Sequence, residues 1–321
     1  MTSYLIFVAT VAGIYAMLSL GLVTIWGQGG MVNLGLVGFF AVGAYASAIL
    51  TERGLPIALA WLASAVIAGM VGVALTFVTR KMRGDYLAIV SLGFAEVVRV
   101  IAMNETWLTR GSDGISGIRS PLKAELGDLF SYFYLALVWA IAGLTAFALT
   151  RLFRSPFGRA LRAIRDDEQV AAVAGKPVLR FKLNAFFIGA LVTGLAGAMY
   201  AHLTSFIAPD SFIPLLTIYI FLAATTGGYT RVKGAIIGAI FVVALLESTR
   251  FLAGAIPSLN AVQVASVREM VIALALIVIM RIKADGFCPS KTEKSGVVSR
   301  NGNRNDESKT NIVAISVRDA A

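Results

Sequence analysis

The sequence predicts an all-α fold, a polytopic transmembrane helical bundle of about nine spans (eight to ten), with short or glycine-broken helices. Three observations carry this. The chain is 58% hydrophobic and only 14% charged, whereas soluble domains hold about 25% charged residues. No charged side chain precedes Glu52, and apolar runs of bilayer-spanning length recur along the 321 residues. The connections between these runs alternate between basic and non-basic, as the positive-inside rule requires of a threaded bundle.

The spans fall at 4–26, 31–50, 55–79, 86–103, 129–150, 184–206, 212–226, 234–250 and 267–282. The opening "MTSYLIFVATVAGIYAMLSLGLVTIW" lacks a basic lead and has a longer apolar run than a cleaved signal, so it is expected to be retained as the first span. Among the connections, "TRKMRGDY" (79–86) is basic and 104–128 is mixed and slightly acidic. Residues 151–182 hold eight Arg or Lys against three acids, half of the net charge of +10. "APDSF" (208–212) carries one acid, "GYTRVKG" (228–234) is basic, and 251–266 has no charge. This alternation places the N-terminus outside and the 151–182 loop in the cytoplasm. The segment 212–226 is short enough to be a half-helix. Two glycine-rich joints, "GQGGMVNLGLVG" (27–38) and "GGYTRVKGAIIG" (227–238), share a loose spacing that suggests an internal repeat, an arrangement in which broken helices line a substrate path. From Ala284 the composition turns polar. The expected organisation is therefore a membrane domain over 1–283 and a disordered cytoplasmic tail over 284–321.

In such a chain the basic excess reports topology, not nucleic acid. A single cysteine, Cys288, and a single histidine, His202, leave no internal disulfide and no cysteine- or histidine-built metal site. His202, at a helix end beside Tyr200, is expected at the membrane interface. The motifs GxxxxGK[ST], HExxH and GxSxG are absent, so neither a nucleotide site, an enzymatic centre nor a bound cofactor is expected.

The charged stretch "GRALRAIRDDEQVAAVAG" (158–175) stands apart from its oily surroundings. Ser155 followed by Pro156 is a helix start, with the serine hydroxyl as cap. Phe157, Ala160, Leu161 and Ile164 recur at helical spacing, and Arg159, Arg162 and Arg165 fall on another face. Asp166, Asp167 and Glu168 stand where a second helix begins. Ala171, Ala172 and Ala174 give that helix a smooth face, and Gly175 with Pro177 stops it. Two short helices are expected on the cytoplasmic surface. The basic face suits anionic lipid headgroups. The acid cluster, which lipid would repel, points instead to a protein partner.

The order "SPFGRALRAIRDDEQVAAVAG" followed by "RFKLNAFFIGALVTGLAGAMYAH" resembles the coupling region of permease subunits of branched-chain amino acid ABC importers, LivM type. "GQGGMVNLGLVGFFAVGAYASAIL" (27–50), "RGDYLAIVSLGFAEVVRV" (83–100), "TRGSDGISGI" (109–118) and "GGYTRVKGAIIGA" (227–239) are similar to further blocks of that family, departing at Asn33, Arg110, Thr230 and Lys233. The resemblance implies a coupling-helix loop in which Gly158, Arg159, Arg162, Arg165, Asp167, Glu168, Ala171, Ala172 and Gly175 engage the motor. It implies an inner-membrane complex with a second, LivH-like permease subunit, two cytoplasmic ATPase subunits that use the ATP, and a periplasmic substrate-binding protein.

Pathway candidates come from the breaks and from intramembrane charge. Gln28, Gly30, Asn33, Gly35, Thr225, Thr226, Gly227 and Gly228 sit at the glycine joints, with Tyr45 in the following helix. Glu96 and Arg99, at i and i+3 inside a span, either border the path or form an internal ion pair. Glu247 and Arg250 repeat that spacing near a span end, where an interfacial pair is expected. The rival readings are an ion-gradient-driven secondary transporter, for which Glu96 is the intramembrane carboxylate, and an ABC permease for urea or short amides.

Overall fold

The computed structural model describes residues 2–82 and 84–254 and scattered positions between 263 and 281. The chain divides into Met1–Cys288 and Pro289–Ala321, and the described residues all belong to the first unit. The expected tail, most of the 267–282 span and the side chain of Arg250 lie outside them.

Helix α1 (Thr2–Leu22) runs directly into a π-helical turn, Val23–Gln28. Residues 29–35 are not helical, and α2 (Leu36–Glu52) follows. Next come α3 (Ile57–Val78), α4 (Asp85–Asn104), the single turn α5 (Thr106–Thr109), strand β1 (Ile115–Ser116) and α6 (Lys123–Leu126). The long α7 (Phe130–Arg154) leads into α8 (Pro156–Asp166) and α9 (Glu168–Val173), and α10 (Val178–Thr204) returns through the bundle. Strand β2 (Phe206–Ile207) pairs antiparallel with β1, Ile115 opposite Ile207. After a 3-10 turn at Pro209–Ser211 come α11 (Pro214–Gly227) and α12 (Val232–Gly254).

Among the described residues, six segments are long and apolar enough to cross a bilayer: Thr2–Gln28, Ile57–Val78, Asp85–Asn104, Phe130–Arg154, Val178–Thr204 and Pro209–Gly227. This falls short of the nine that hydropathy predicted. One reason is α2, an apolar helix of 17 residues that starts inside the bundle. The Leu34 amide donates to Ser91 Oγ at 2.9 Å, and Ser91 lies roughly two turns into α4. Residues 29–35 are thus irregular backbone at membrane depth, which is tolerated only when protein buries it. Met31 and Asn33 are accordingly buried. Another reason is the 267–282 span, most of which lies outside the described residues. The 212–226 segment does count, but only with the 3-10 turn before it.

The basic connections gather at one end. Met82 and Gly84 line a cavity with Arg165 and Lys182, and the Thr230 carbonyl accepts from Gln28 Nε2 at 2.7 Å. The opposite end holds the β1–β2 pair, the Arg110–Glu52 ion pair and the Tyr4–Glu247 hydrogen bond. The N-terminal end of α1 therefore lies away from the basic end.

Helix α10 is the packing axis and touches α1, α2 and α3. A Cβ placed on Gly43 of α2 would stand 2.1 Å from the Gly194 carbonyl oxygen, and one placed on Gly194 would stand 2.3 Å from Ala68 Cβ of α3. These backbones approach as closely as glycine allows, the usual route to helix association where lipid removes the hydrophobic drive. Gly43→Ala is expected to destabilise the extracted protein by about 1–3 kcal/mol, the range for overpacking, read as a lowered unfolding midpoint. Gly143→Ala, with nothing within 4 Å of the new methyl, is expected to leave that midpoint unchanged.

Candidate functional site

The loop between α7 and α10 forms the two expected helices. Ser155 does not cap as predicted; its hydroxyl donates back to the Leu152 carbonyl at 2.6 Å. Pro156 at the first position sets the start of α8. Its apolar face is Gly158, Ala160, Leu161 and Ile164, all buried. Leu161 is packed with Ile25 and Phe186, and Phe157 stacks on Phe181 of α10 at 5.4 Å. A Cβ on Gly158 would meet the Phe153 backbone at 2.2 Å, so α8 presses directly on the end of α7.

The arginines divide. Arg159 is exposed and reaches the Arg154 carbonyl at 3.2 Å. Arg162 and Arg165 turn inward instead. Arg162 Nη1 donates to Gln28 Oε1 at 3.1 Å and to the Phe153 carbonyl at 3.0 Å. Arg165 Nη1 donates to the Gly27 carbonyl at 2.9 Å, and its Nε and Nη2 hold Asp166. Cations at the carbonyl end of a helix are favoured by its dipole, so two of the three predicted surface arginines tie α8 to the end of α1. Gly30, at φ +69°, lets the chain turn there with the Arg165 side chain lying against it.

The acids are equally occupied. Asp167 Oδ1 accepts from the Gln169 and Val170 amides at 2.9 and 3.0 Å, capping α9. Glu168 accepts from Lys182 Nζ of α10 at 2.8 Å. The acid cluster that suggested a partner is explained within the chain. Of the alanine face, Ala171 is buried, while Ala172 and Ala174 are exposed. Gly175, at φ +74°, ends the helix. The outward surface of α9 is instead apolar: Val170 is 64% and Val173 91% exposed. Sequence reasoning passed over these valines, although their i, i+3 spacing beside exposed alanines was a readable signal.

The glycine-joint candidates serve two purposes. Gln28 is a hub, buried between Arg162 and the Thr230 carbonyl. Trp26 beside it stacks on Tyr229 at 4.7 Å. Asn33 Oδ1 caps the Gly35 amide at 2.8 Å, while its Nδ2 is buried with no hydrogen-bond partner. Gly35 lies against the Ser91 carbonyl. Tyr45 is buried with an unpartnered hydroxyl and packs on Phe212 at 5.7 Å. Thr225 and Thr226 return hydrogen bonds to their own helix, to the Phe221 and Leu222 carbonyls. Gly227 meets Gly234 backbone to backbone, and Gly228 turns the chain at φ +106°.

Glu96 and Arg99 do form an ion pair at 2.5 Å, and Asp210 joins at 3.8 Å, linking α4 to the turn before α11. Both remain partly accessible, at 43% for Glu96 and 22% for Arg99, so this pair sits on an open face of α4. His202 lies in the last turn of α10, at the helix end as expected, and is fully buried there. Its Nδ1–H donates to the Arg119 carbonyl at 2.5 Å, its Nε2 meets Ser47 Oγ at 2.9 Å, and Trp61 packs edge-on at 5.8 Å. The ring fastens the 104–128 connection over the end of α10. Among the described residues no cluster of three or more metal-ligating side chains occurs.

These features define a polytopic helical membrane protein with a structured helix pair fastened to its basic end. The chain belongs to the family of branched-chain amino acid transport system permease components, whose model matches residues 4–280. It is 34% identical over 268 residues to the high-affinity branched-chain amino acid transport permease LivM of Escherichia coli, covering 76% of this chain and 63% of that protein. It is 28% identical to a probable LivM permease of Methanocaldococcus jannaschii, over 56% of this chain and 52% of that one. The similarity extends to the LivH permease of Salmonella typhimurium, at 25% identity over 71% of this chain and 79% of that protein. No solved structure matches.

Loss of the α9 cap is expected to loosen the loop locally. Asp167→Ala should raise amide exchange at Gln169 and Val170 about fivefold, matching the ~1 kcal/mol of a lost N-cap. Asp167→Asn, which keeps an acceptor, should stay near wild type.

Proposed function

We propose that this chain is the membrane permease subunit of an ATP-driven importer for branched-chain or related hydrophobic amino acids, in the inner membrane. It forms the translocation path with a LivH-like second permease, receives solute from a periplasmic binding protein, and is driven by two cytoplasmic ATPase subunits. It binds no cofactor itself. On this reading α2, α12 and the 267–282 segment complete nine crossings, and Glu96–Arg99 on the open face of α4 borders the path.

One observation carries the proposal. The helix pair α8–α9 uses Arg162, Arg165 and Glu168 to fasten itself to α1 and α10, and leaves Val170 and Val173 exposed. An apolar tip on a charge-locked base is suited to insertion into a groove of another protein, and it is rigid enough to act as a lever. Names of the relatives support the solute class. A carrier driven by an ion gradient has no use for such a tip.

The test uses proteoliposomes holding the complete complex, with labelled leucine, isoleucine, valine and urea. ATP-dependent leucine uptake should exceed urea uptake, and a proton or sodium gradient alone should drive none. Val170→Asp with Val173→Asp should lower uptake by about tenfold or more, since burying two carboxylates against an apolar groove costs over 1.4 kcal/mol, while the chain stays inserted. Undiminished uptake by that variant, or accumulation driven by an ion gradient alone, sinks the proposal.

A further inference from the structure

A cavity of about 510 Å³ opens at the basic end between α7, α8 and the start of α12. Arg154, Arg162, Arg231 and Lys233 line it, and no carboxylate does. Arg154, Arg231 and Lys233 are exposed and make no ion pair among the described residues. Arg162 commits Nη1 to Gln28 and the Phe153 carbonyl, so its position is fixed while its charge stays uncancelled. The first turn of α12 also meets the cavity at Val232 and Lys233, adding the unpaired amides and positive dipole end of a long helix. Four like charges held together without an acid repel one another, an arrangement that an anion relieves.

The depth of the cavity narrows the anion. It lies where three helices end, at Gln28 of α1, Arg154 of α7 and Val232 of α12. Thr150, one turn further into α7, belongs to its wall. Above it the same helices present Leu144, Phe147, Ile237 and Ile240 to their surroundings, as acyl chains require. A basic recess at the headgroup level of the cytoplasmic leaflet, below an apolar flank, matches a phospholipid in both parts.

We infer that this cavity binds the phosphodiester headgroup of an anionic phospholipid of the cytoplasmic leaflet. Arg154, Arg162, Arg231 and Lys233 neutralise the phosphate, and the flanks of α7 and α12 take up the chains. The lipid bridges α7 to the start of α12 at the joint where Gln28 already links α8 to the Thr230 carbonyl.

The full chain, purified in neutral detergent, is incubated with equal amounts of phosphatidylglycerol and phosphatidylcholine, and retained lipid is measured by native mass spectrometry. Wild type should retain phosphatidylglycerol in preference. Arg231→Ala and Lys233→Ala should each lower retention about fivefold, the factor expected of one interfacial cation. The pair Arg231→Lys with Lys233→Arg should keep it, which separates charge from folding. Inorganic phosphate at millimolar concentration should not displace the lipid. Four results overturn the inference: equal retention of both lipids, undiminished retention in both alanine variants, displacement by inorganic phosphate, or unchanged lipid retention with loss of an ATPase subunit from the purified complex. None of these readouts depends on transport.

Discussion

Backbone contact around α10 is the constraint on which the bundle rests. In lipid, burying one apolar side chain against another gains little, because acyl chains are as apolar as leucine. What remains is van der Waals packing, and it is strongest where backbones touch. Gly43 and Gly194 bring α2 and α3 against α10, and Gly21 and Gly189 do the same for α1. Gly227, Gly234 and Gly238 join α11 to α12. Interhelical polar bonds such as Tyr134 Oη to the Met199 carbonyl, at 2.6 Å, average only about 0.6 kcal/mol in membranes. They orient helices that the glycine seams already hold.

Polar side chains serve a different end. Where backbone leaves the helix at membrane depth, each amide requires a partner. Ser91, Asn33 and Thr217 supply hydrogen bonds to the Leu34, Gly35 and Val37 amides, so the break before α2 is a built feature of the fold. At the basic end Arg162 and Arg165 take the place of the missing next turn of α1, donating to the Gln28 side-chain oxygen and to the Gly27 carbonyl. Charge that topology demands on this side is also the charge that closes the helix.

Much of this was legible in the sequence, and what was not has a common cause. Among the described residues, the apolar helices, the basic connections and the two loop helices follow from local composition and periodicity and appear near where expected, although α2 begins only at Leu36 and the crossing count differs. The break at 29–35 was visible as a glycine joint, but its depth depends on Ser91 of another helix. The direction of the arginines was hidden for the same reason. A helical wheel puts Arg159, Arg162 and Arg165 on one face, yet the groups awaiting two of them, Gly27 and Gln28, lie 138 and 134 residues away in the chain. Asp167 as a cap was readable locally, whereas the Glu168–Lys182 pair needed the second helix to fold back. The burial of His202 was hidden because an apolar neighbourhood looks the same beneath a loop as on an open helix end.

These links bear on how force would travel under the proposed function. The α8 helix, the π-helical end of α1 and the turn before α12 meet at one side chain, Gln28, with Trp26 and Tyr229 stacked beside it. Pulling them apart would strip hydrogen bonds from buried charged and amide groups, at about 1–3 kcal/mol each. Moving them together breaks none of these. A displacement of the α8–α9 tip is therefore carried as one block to the inner ends of α1 and α12. The strain must be taken up where the chain has no helical ladder, and nearest to the block that is the 29–35 segment, which connects it directly to α2.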